Sequence, residues 1–193
     1  MTVFNLRRPL VAVACLVLAV ALTGCASATP GRATAAAVSD SGSAASSGVP
    51  KVANPKNVGA VADPCQLVTP QQLQELGASE PRPDKTQAGG PACIWKNDNL
   101  RIRLVPYLNQ GMGAVYANRV RFDNSAETVV SGYPGLRFNQ VSLSCGVYVG
   151  VADNQVFSAD VTVFREVRPE YKDRCVFAEK VAGMVLSNLP IAG

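Results

Sequence analysis

The sequence predicts an α+β domain over residues 62–193, in which helices pack on one face of a curved antiparallel sheet and two disulfides tie the layers together. Three observations predict it. A fully signalled helix opens at Thr69-Pro70, period-two apolar alternation runs through Leu143–Val151 and Phe157–Val163, and a helical pattern begins at Pro169 near the end of the chain.

The first helix is spelled out residue by residue. Thr69 is the N-cap, Pro70 the first helical position that needs no N–H partner, Gln72 the reciprocal capping-box residue and Gly77 the left-handed stop. Val68 and Leu73 occupy the staple positions on either side of the cap. The stretch from Pro81-Arg82-Pro83 to Gly89-Gly90-Pro91 is rich in turn formers and predicts an irregular connection. A hairpin follows, Ala92–Trp95 and Leu100–Tyr107, turned by Lys96-Asn97-Asp98-Asn99. Ile102 and Leu104 face one side, and Arg101 and Arg103 form a solvated outer face. Met112–Asp123 fits a helical period only loosely.

Both later strands carry apolar residues at odd positions. A two-residue turn at Asp153-Asn154 would set Val149 opposite Ser158 and Val147 opposite Asp160, mixing buried and exposed faces. A three-residue loop, Asp153–Gln155, restores the match by pairing Val151 with Phe157, Val149 with Ala159 and Val147 with Val161. The last helix is expected from Pro169 to about Ser187, with Tyr171, Cys175, Ala178, Ala182 and Val185 on one face. Pro134-Gly135 suits the centre of a type II turn, and Tyr133 beside it is a candidate binding-loop residue.

The N-terminus has a different character. Arg7 and Arg8 precede an uncharged run, Leu10–Leu22, that is too short for the roughly 20 residues of a membrane-spanning helix. Basic start, short apolar run and small-residue site together describe a secretory signal. Leu22-Thr23-Gly24-Cys25 resembles the lipobox of bacterial lipoproteins. The resemblance implies cleavage before Cys25, diacylglycerol on its sulfur and a further acyl chain, such as palmitate, on the new amine. An ordinary signal peptide with a chance cysteine is the weaker alternative, and the residues around Arg7-Arg8 favour general secretory over twin-arginine export. Residues 26–60 are mostly Ala, Ser, Gly, Thr and Pro, with no aromatic residue, Leu, Ile or Met. Such a segment buries too little apolar surface to offset the entropy of ordering it. Residues 25–61 are therefore expected to be a lipidated cysteine on a disordered tether with an r.m.s. span of roughly 30–35 Å.

Of six cysteines, Cys15 leaves with the signal and Cys25 is assigned to lipid. Cys65, Cys93, Cys145 and Cys175 remain, an even set that in an exported domain reads as two disulfides. Zinc is disfavoured because none of the four forms a close C-x₂₋₄-C pair. Three connectivities are open. Cys65–Cys93 with Cys145–Cys175 is preferred, because it pins each terminal helix to the sheet through loops that each contribute roughly 3–4 kcal/mol.

Chemistry is limited by what is missing. The chain has no histidine, which removes the usual base at neutral pH, the serine and cysteine triads and nearly all catalytic zinc sites. No phosphate-loop, dinucleotide or nucleophile-elbow motif is present, and Gly111-Met112-Gly113 lacks the strand-to-helix context of a phosphate site. Glu166, Glu170 and Asp173 cluster near the last helix, but Glu170 and Arg174 are spaced as a surface ion pair. No catalytic residue, metal ligand or cofactor is assigned. Removing Arg7 and Arg8 from 18 basic residues against 14 acidic ones leaves the remainder close to neutral, without the basic stripe a nucleic-acid partner wants.

Over about 63–190 these residues resemble the actinobacterial, largely mycobacterial, cell-envelope lipoproteins whose C-terminal domain has no known function. Asp63-Pro64-Cys65, Leu73 and Gly77, Cys93-Ile94-Trp95, Gly132, Cys145-Gly146-Val147, Cys175 with Ala178 and Ala182, and Leu189-Pro190 carry the likeness. It implies an envelope-exposed, disulfide-bonded domain similar to PsbP-like folds and to the sensor domains of some envelope kinases, and it brings no catalytic residues. The expected function is a non-enzymatic binding or accessory module. It would be anchored through Cys25 at the outer face of the cytoplasmic membrane and meet an envelope protein, lipid or glycan. A lipid or small-ligand carrier would instead need an apolar cavity between sheet and helices. A histidine-free enzyme would need two acidic residues in one cleft.

Overall fold

In the computed structural model, residues 49–193 are described; the signal segment and Cys25 lie outside them. Seven strands form one open antiparallel sheet: β1 (Pro81–Lys85), β2 (Pro91–Lys96), β3 (Leu100–Tyr107), β4 (Ala126–Val130), β5 (Tyr133–Val141), β6 (Ser144–Ala152) and β7 (Gln155–Val163). Their spatial order is β1-β2-β3-β7-β6-β5-β4. Three α-helices accompany them, α1 (Pro70–Leu76), α2 (Met112–Ala117) and α3 (Arg174–Asn188).

The expected α+β class, with helices layered on one face of a curved sheet, is overturned. The domain is mainly sheet, the sheet is not strongly curled, and two of the three helices are only one or two turns long. They share no common face. α3 lies against β6 and β7 on the side where Val147, Val149, Val151, Phe157, Ala159 and Val161 are buried. α2 contacts β5 and β6, where Met112, Val115 and Tyr116 pack on Leu136 and Val156, which alternate to the opposite side. The PsbP-like expectation falls with that layer. The second expected helix is also shorter than the Met112–Asp123 segment: it stops at Ala117, a 3₁₀ turn covers Arg119–Arg121, and Val120 is left exposed.

Local signals account for what the other elements do. Thr69 and Gln72 form the capping box with bonds of 3.2 and 2.9 Å, and Gly77 stops α1 at φ 65°. α3 starts later than Pro169 suggests. Pro169–Tyr171 is a 3₁₀ turn, and Asp173 caps α3 by accepting from the backbone N–H groups of Cys175 and Val176. The Pro81–Gly90 stretch contains an unexpected strand. β1 is an edge strand, where Pro81 and Pro83 are tolerated because only one side of the backbone is paired.

The β6–β7 register resolves the parity problem by a different route from the expected loop. The turn has two residues, Asp153-Asn154, since Ala152 pairs with Gln155. A bulge between Gly150 and Ala152 then absorbs one residue, so Val149 lies opposite Phe157, Val147 opposite Ala159 and Cys145 opposite Val161. Buried residues still face buried residues, two positions away from the predicted pairing. Tyr133 is not in a turn. The β4–β5 turn is Ser131-Gly132, both with positive φ (50° and 85°), as a tight hairpin requires. Pro134 and Gly135 lie inside β5.

Residues assigned to the tether take part in the fold. Val58 is fully buried in the main core, Lys56 bridges to Ile191, its N–H donates to the Val151 carbonyl at 2.8 Å, and Val58 N–H donates to Gln155 Oε1 at 2.9 Å. The folded unit thus includes these residues before 62.

Two disulfides, Cys65–Cys93 and Cys145–Cys175, tie the segment before α1 to β2 and the start of α3 to β6. Beside the second, Arg137 donates from Nε and Nη2 to the two carboxylate oxygens of Glu179 at 2.7 and 2.9 Å, and Thr128 Oγ1 bonds the same carboxylate at 2.6 Å. Burial alone would raise the Glu179 pKa, but these two partners hold it below its usual range.

Two outcomes follow from this packing. Cys145→Ser with Cys175→Ser releases a loop of 30 residues and should cost about 3–4 kcal/mol in denaturant unfolding. Glu179→Gln should cost about 1–2 kcal/mol at neutral pH. The folded state holds this proton more weakly than the unfolded one, so the loss should shrink as pH falls through the depressed Glu179 pKa. An unchanged difference between neutral and acidic pH would contradict the ion pair.

Candidate functional site

Strand alternation decides which side chains reach the face opposite α3. In one cross-sheet row Arg82 pairs with Ile94, Ile94 with Arg103, Arg103 with Asp160, Asp160 with Gly146 and Gly146 with Phe138. The neighbouring rows add Arg101 and Thr162, and Asp84, Ser158 and Tyr148, to the same face. α2 covers only the β5–β6 end. Next to it lies an aromatic cluster of Tyr107, Phe122, Phe138 and Tyr148, with ring centroids 4.5–5.9 Å apart. Burial pushes the Tyr148 phenol far above its ordinary range, so it stays a neutral hydroxyl. The β1–β3 end carries no helix, and its polar residues are left half-buried or exposed.

The charged groups on this face are unequally matched. Arg103 Nε donates to Asp84 Oδ2 at 2.7 Å and its Nη2 to the Lys85 carbonyl at 3.1 Å. That hydrogen bond, with help from the Lys85 backbone, holds the Asp84 carboxyl below its usual range. Asp160 is the opposite case. Among the described residues, its one hydrogen bond comes from Ser158 Oγ to Oδ2 at 3.0 Å. Burial raises its pKa, and the Ser158 hydroxyl and the nearby Arg103 and Arg101 only partly counter this. Arg101 and Arg82 form no ion pair among the described residues. A small polar pocket of about 170 Å³ opens beside Asp160 and is bounded by Arg101, Asn139, Ser144, Gly146 and Thr162.

Larger grooves lie elsewhere and carry weaker chemistry. One, of about 430 Å³, runs between α1 and β1 over Val68, Leu73, Ala78 and Pro81. Its polar groups are either solvated, as with Gln66, Gln74 and Glu80, or already used in the fold: Thr69 caps α1 and Ser79 Oγ bonds the Lys96 carbonyl at 2.9 Å. Shape alone supports that groove, whereas the Asp160 pocket combines shape with a carboxyl whose ionisation is opposed.

A family model described as "Protein of unknown function (DUF3558)" matches residues 20–188. The chain belongs to the DUF3558 family. No curated protein matches it. A crystal structure from Bacteroides thetaiotaomicron, determined at 1.50 Å, aligns at 12% identity with a TM-score of 0.35, covering 58% of this chain and 42% of that one. The chain therefore spans less than half the length of that protein.

The residues singled out in the sequence of this DUF3558 domain have separate fates. Cys25 lies outside the described residues. Tyr133 opens β5 and is partly exposed, its hydroxyl donating to the Asn54 carbonyl at 2.7 Å. Glu166, Glu170 and Asp173 do not form a site: Glu166 pairs with Arg174 at 2.5 Å, Glu170 faces Arg168 at 3.7 Å, and Asp173 caps α3. Among the described residues no group of three or more Cys, Asp or Glu could hold a metal ion, and no helix is long and apolar enough to cross a membrane. Asp160 was missed. Its signal was an acidic residue in the middle of a β-branched strand, where Asp is depleted.

Because the folded state binds the Asp160 proton more tightly than the unfolded state, ionising it costs stability as pH rises through its raised pKa. Asp160→Asn should therefore raise the melting temperature at neutral pH, with the gain shrinking toward acid. A lower melting temperature at neutral pH would show that Arg101 and Arg103 stabilise the charge more than burial opposes it.

Proposed function

We propose that this DUF3558 chain is a non-enzymatic binding or accessory module of the cell envelope, held at the outer face of the cytoplasmic membrane by acyl chains on Cys25. It presents the helix-free half of its sheet to an envelope protein, lipid or glycan. The observation that carries the reading is Asp160, a carboxyl without an ion-pair partner among the described residues, beside Arg101 on the part of the sheet face that α2 leaves uncovered. The carboxyl is partly exposed, yet its surroundings oppose its ionisation, and such a group beside an open pocket favours a role in recognition.

Packing speaks against a carrier. The layer between α3 and the sheet is filled by Trp95, Phe157, Tyr171 and Phe177, all buried, and the grooves open at the surface. The enzyme reading is weakened by spacing. Asp84 on β1 and Asp160 on β7 are three strands apart in the sheet, and the Asp84 carboxylate is already engaged by Arg103, which stands between them.

Crosslinking of the full chain in intact envelopes, followed by mass spectrometry, tests the reading. The expected result is a cleaved chain whose Cys25 carries acyl mass and whose crosslinks map to β1–β3 and β7. Unmodified Cys25 in a chain that keeps Leu10–Leu22 would remove the anchor. Crosslinks confined to the α3 face would remove the proposed surface.

A further inference from the structure

We infer that the pocket beside Asp160 is a subsite for one neutral, hydroxyl-rich ring, a saccharide unit. The proposal rests on the binding-module reading and names the ligand class for the same face.

Volume sets the scale. At about 170 Å³, the pocket holds the equivalent of about five or six waters, comparable to a single pyranose and too small for a lipid chain or a peptide segment. Charge then selects the class. When ionised, Asp160 opposes a small anion, and Arg101, which also lines the pocket, opposes a small cation. A neutral ligand that both donates and accepts hydrogen bonds suits both groups, because Arg101 can only donate and an ionised Asp160 only accepts. Ser144 and Thr162 add hydroxyls that do either, and Asn139 adds an amide.

Two features of the backbone shape this wall. Asn139 has a φ of 50° at the register break between Phe138 and Val141, which turns it out of the β5 ladder; bulges commonly re-aim side chains in this way. Gly146 supplies the bottom of the pocket without a side chain, and the Phe138 ring occupies the space where a Cβ would stand. The buried Phe138 ring thus fixes the floor of the pocket at Gly146 from the side and is not itself part of its lining.

Amide NMR titration of residues 49–193 within the full chain would use D-glucose, D-mannose, D-arabinose and N-acetyl-D-glucosamine. Phosphate, ethylammonium and glycine would serve as anion, cation and zwitterion. The expected result is saturable shifts at Asn139, Gly146 and Asp160–Thr162 with at least one sugar, in the millimolar range for a ligand of this size, and none with the charged probes. Asp160→Asn and Arg101→Gln should each weaken that sugar at least about fivefold, with folding checked by the melting temperature of each variant. Absence of sugar shifts, shifts from a charged probe alone, or unchanged affinity in both folded variants would overturn the saccharide subsite. If envelope crosslinks to β1–β3 and β7 persist in that case, the binding-module reading stands without it; if they are lost in wild type as well, both fail.

Discussion

Burial of one face of the β6–β7 hairpin is the constraint on which the rest of the domain depends. β7 is the central strand, paired to β3 on one side and β6 on the other, and all its odd residues from Phe157 to Val163 are buried. α3 covers this face with Phe177, Ala178, Val181, Ala182 and Val185. Because strand side chains alternate strictly, committing the odd residues to α3 sends Ser158, Asp160 and Thr162 to the opposite face. The bulge at the β6 end keeps that commitment despite a two-residue turn. Val151 also accepts a hydrogen bond from Lys56, so the same irregular end of β6 ties down the segment before the first helix.

Covalent and ionic ties then hold the periphery to this centre. Each disulfide links a segment at the start of a helix to a strand, and each closes a loop of about thirty residues. The Arg137–Glu179 pair with Thr128 does the equivalent for the β4–β5 edge, joining it to α3. With α3 and the disulfides securing one face, the other is covered only in part, by α2 and the aromatic cluster, and the polar residues that alternation delivers to the rest of it are left partly exposed. Asp160 is the member of that set for which burial and charge are most at odds, and the pocket lies beside it.

Much of the local structure was legible. The capping box at Thr69, the hairpin at Asn97–Asn99, the burial of Ala178, Ala182 and Val185 on α3 and the alternation in β6 and β7 each depend on residues a few positions apart, and the structure contains them all. The misreadings share one cause. β1 was hidden because Pro81 and Pro83 are acceptable only at a sheet edge, and the edge is known only once the strand order is known. Tyr133 looked like a presented loop residue until Ser131-Gly132 proved to be the turn. Asp160 looked solvated because nothing in its neighbourhood along the chain says that Arg101, Arg103 and Ser144 stand across from it.

Sequence alone determined the alternation of β3, β6 and β7, the limits of α1, the even set of cysteines in the domain and the absence of histidine chemistry. These follow from the nature of single residues or from short-range spacing. Only the tertiary structure decided that α2 and α3 lie on opposite faces, that the parity of β6 and β7 is repaired by a bulge, and that a carboxyl and two guanidiniums share one open surface. Those outcomes depend on which strands become neighbours, and strand order is set by burying all the apolar faces at once, a condition no local stretch of residues contains.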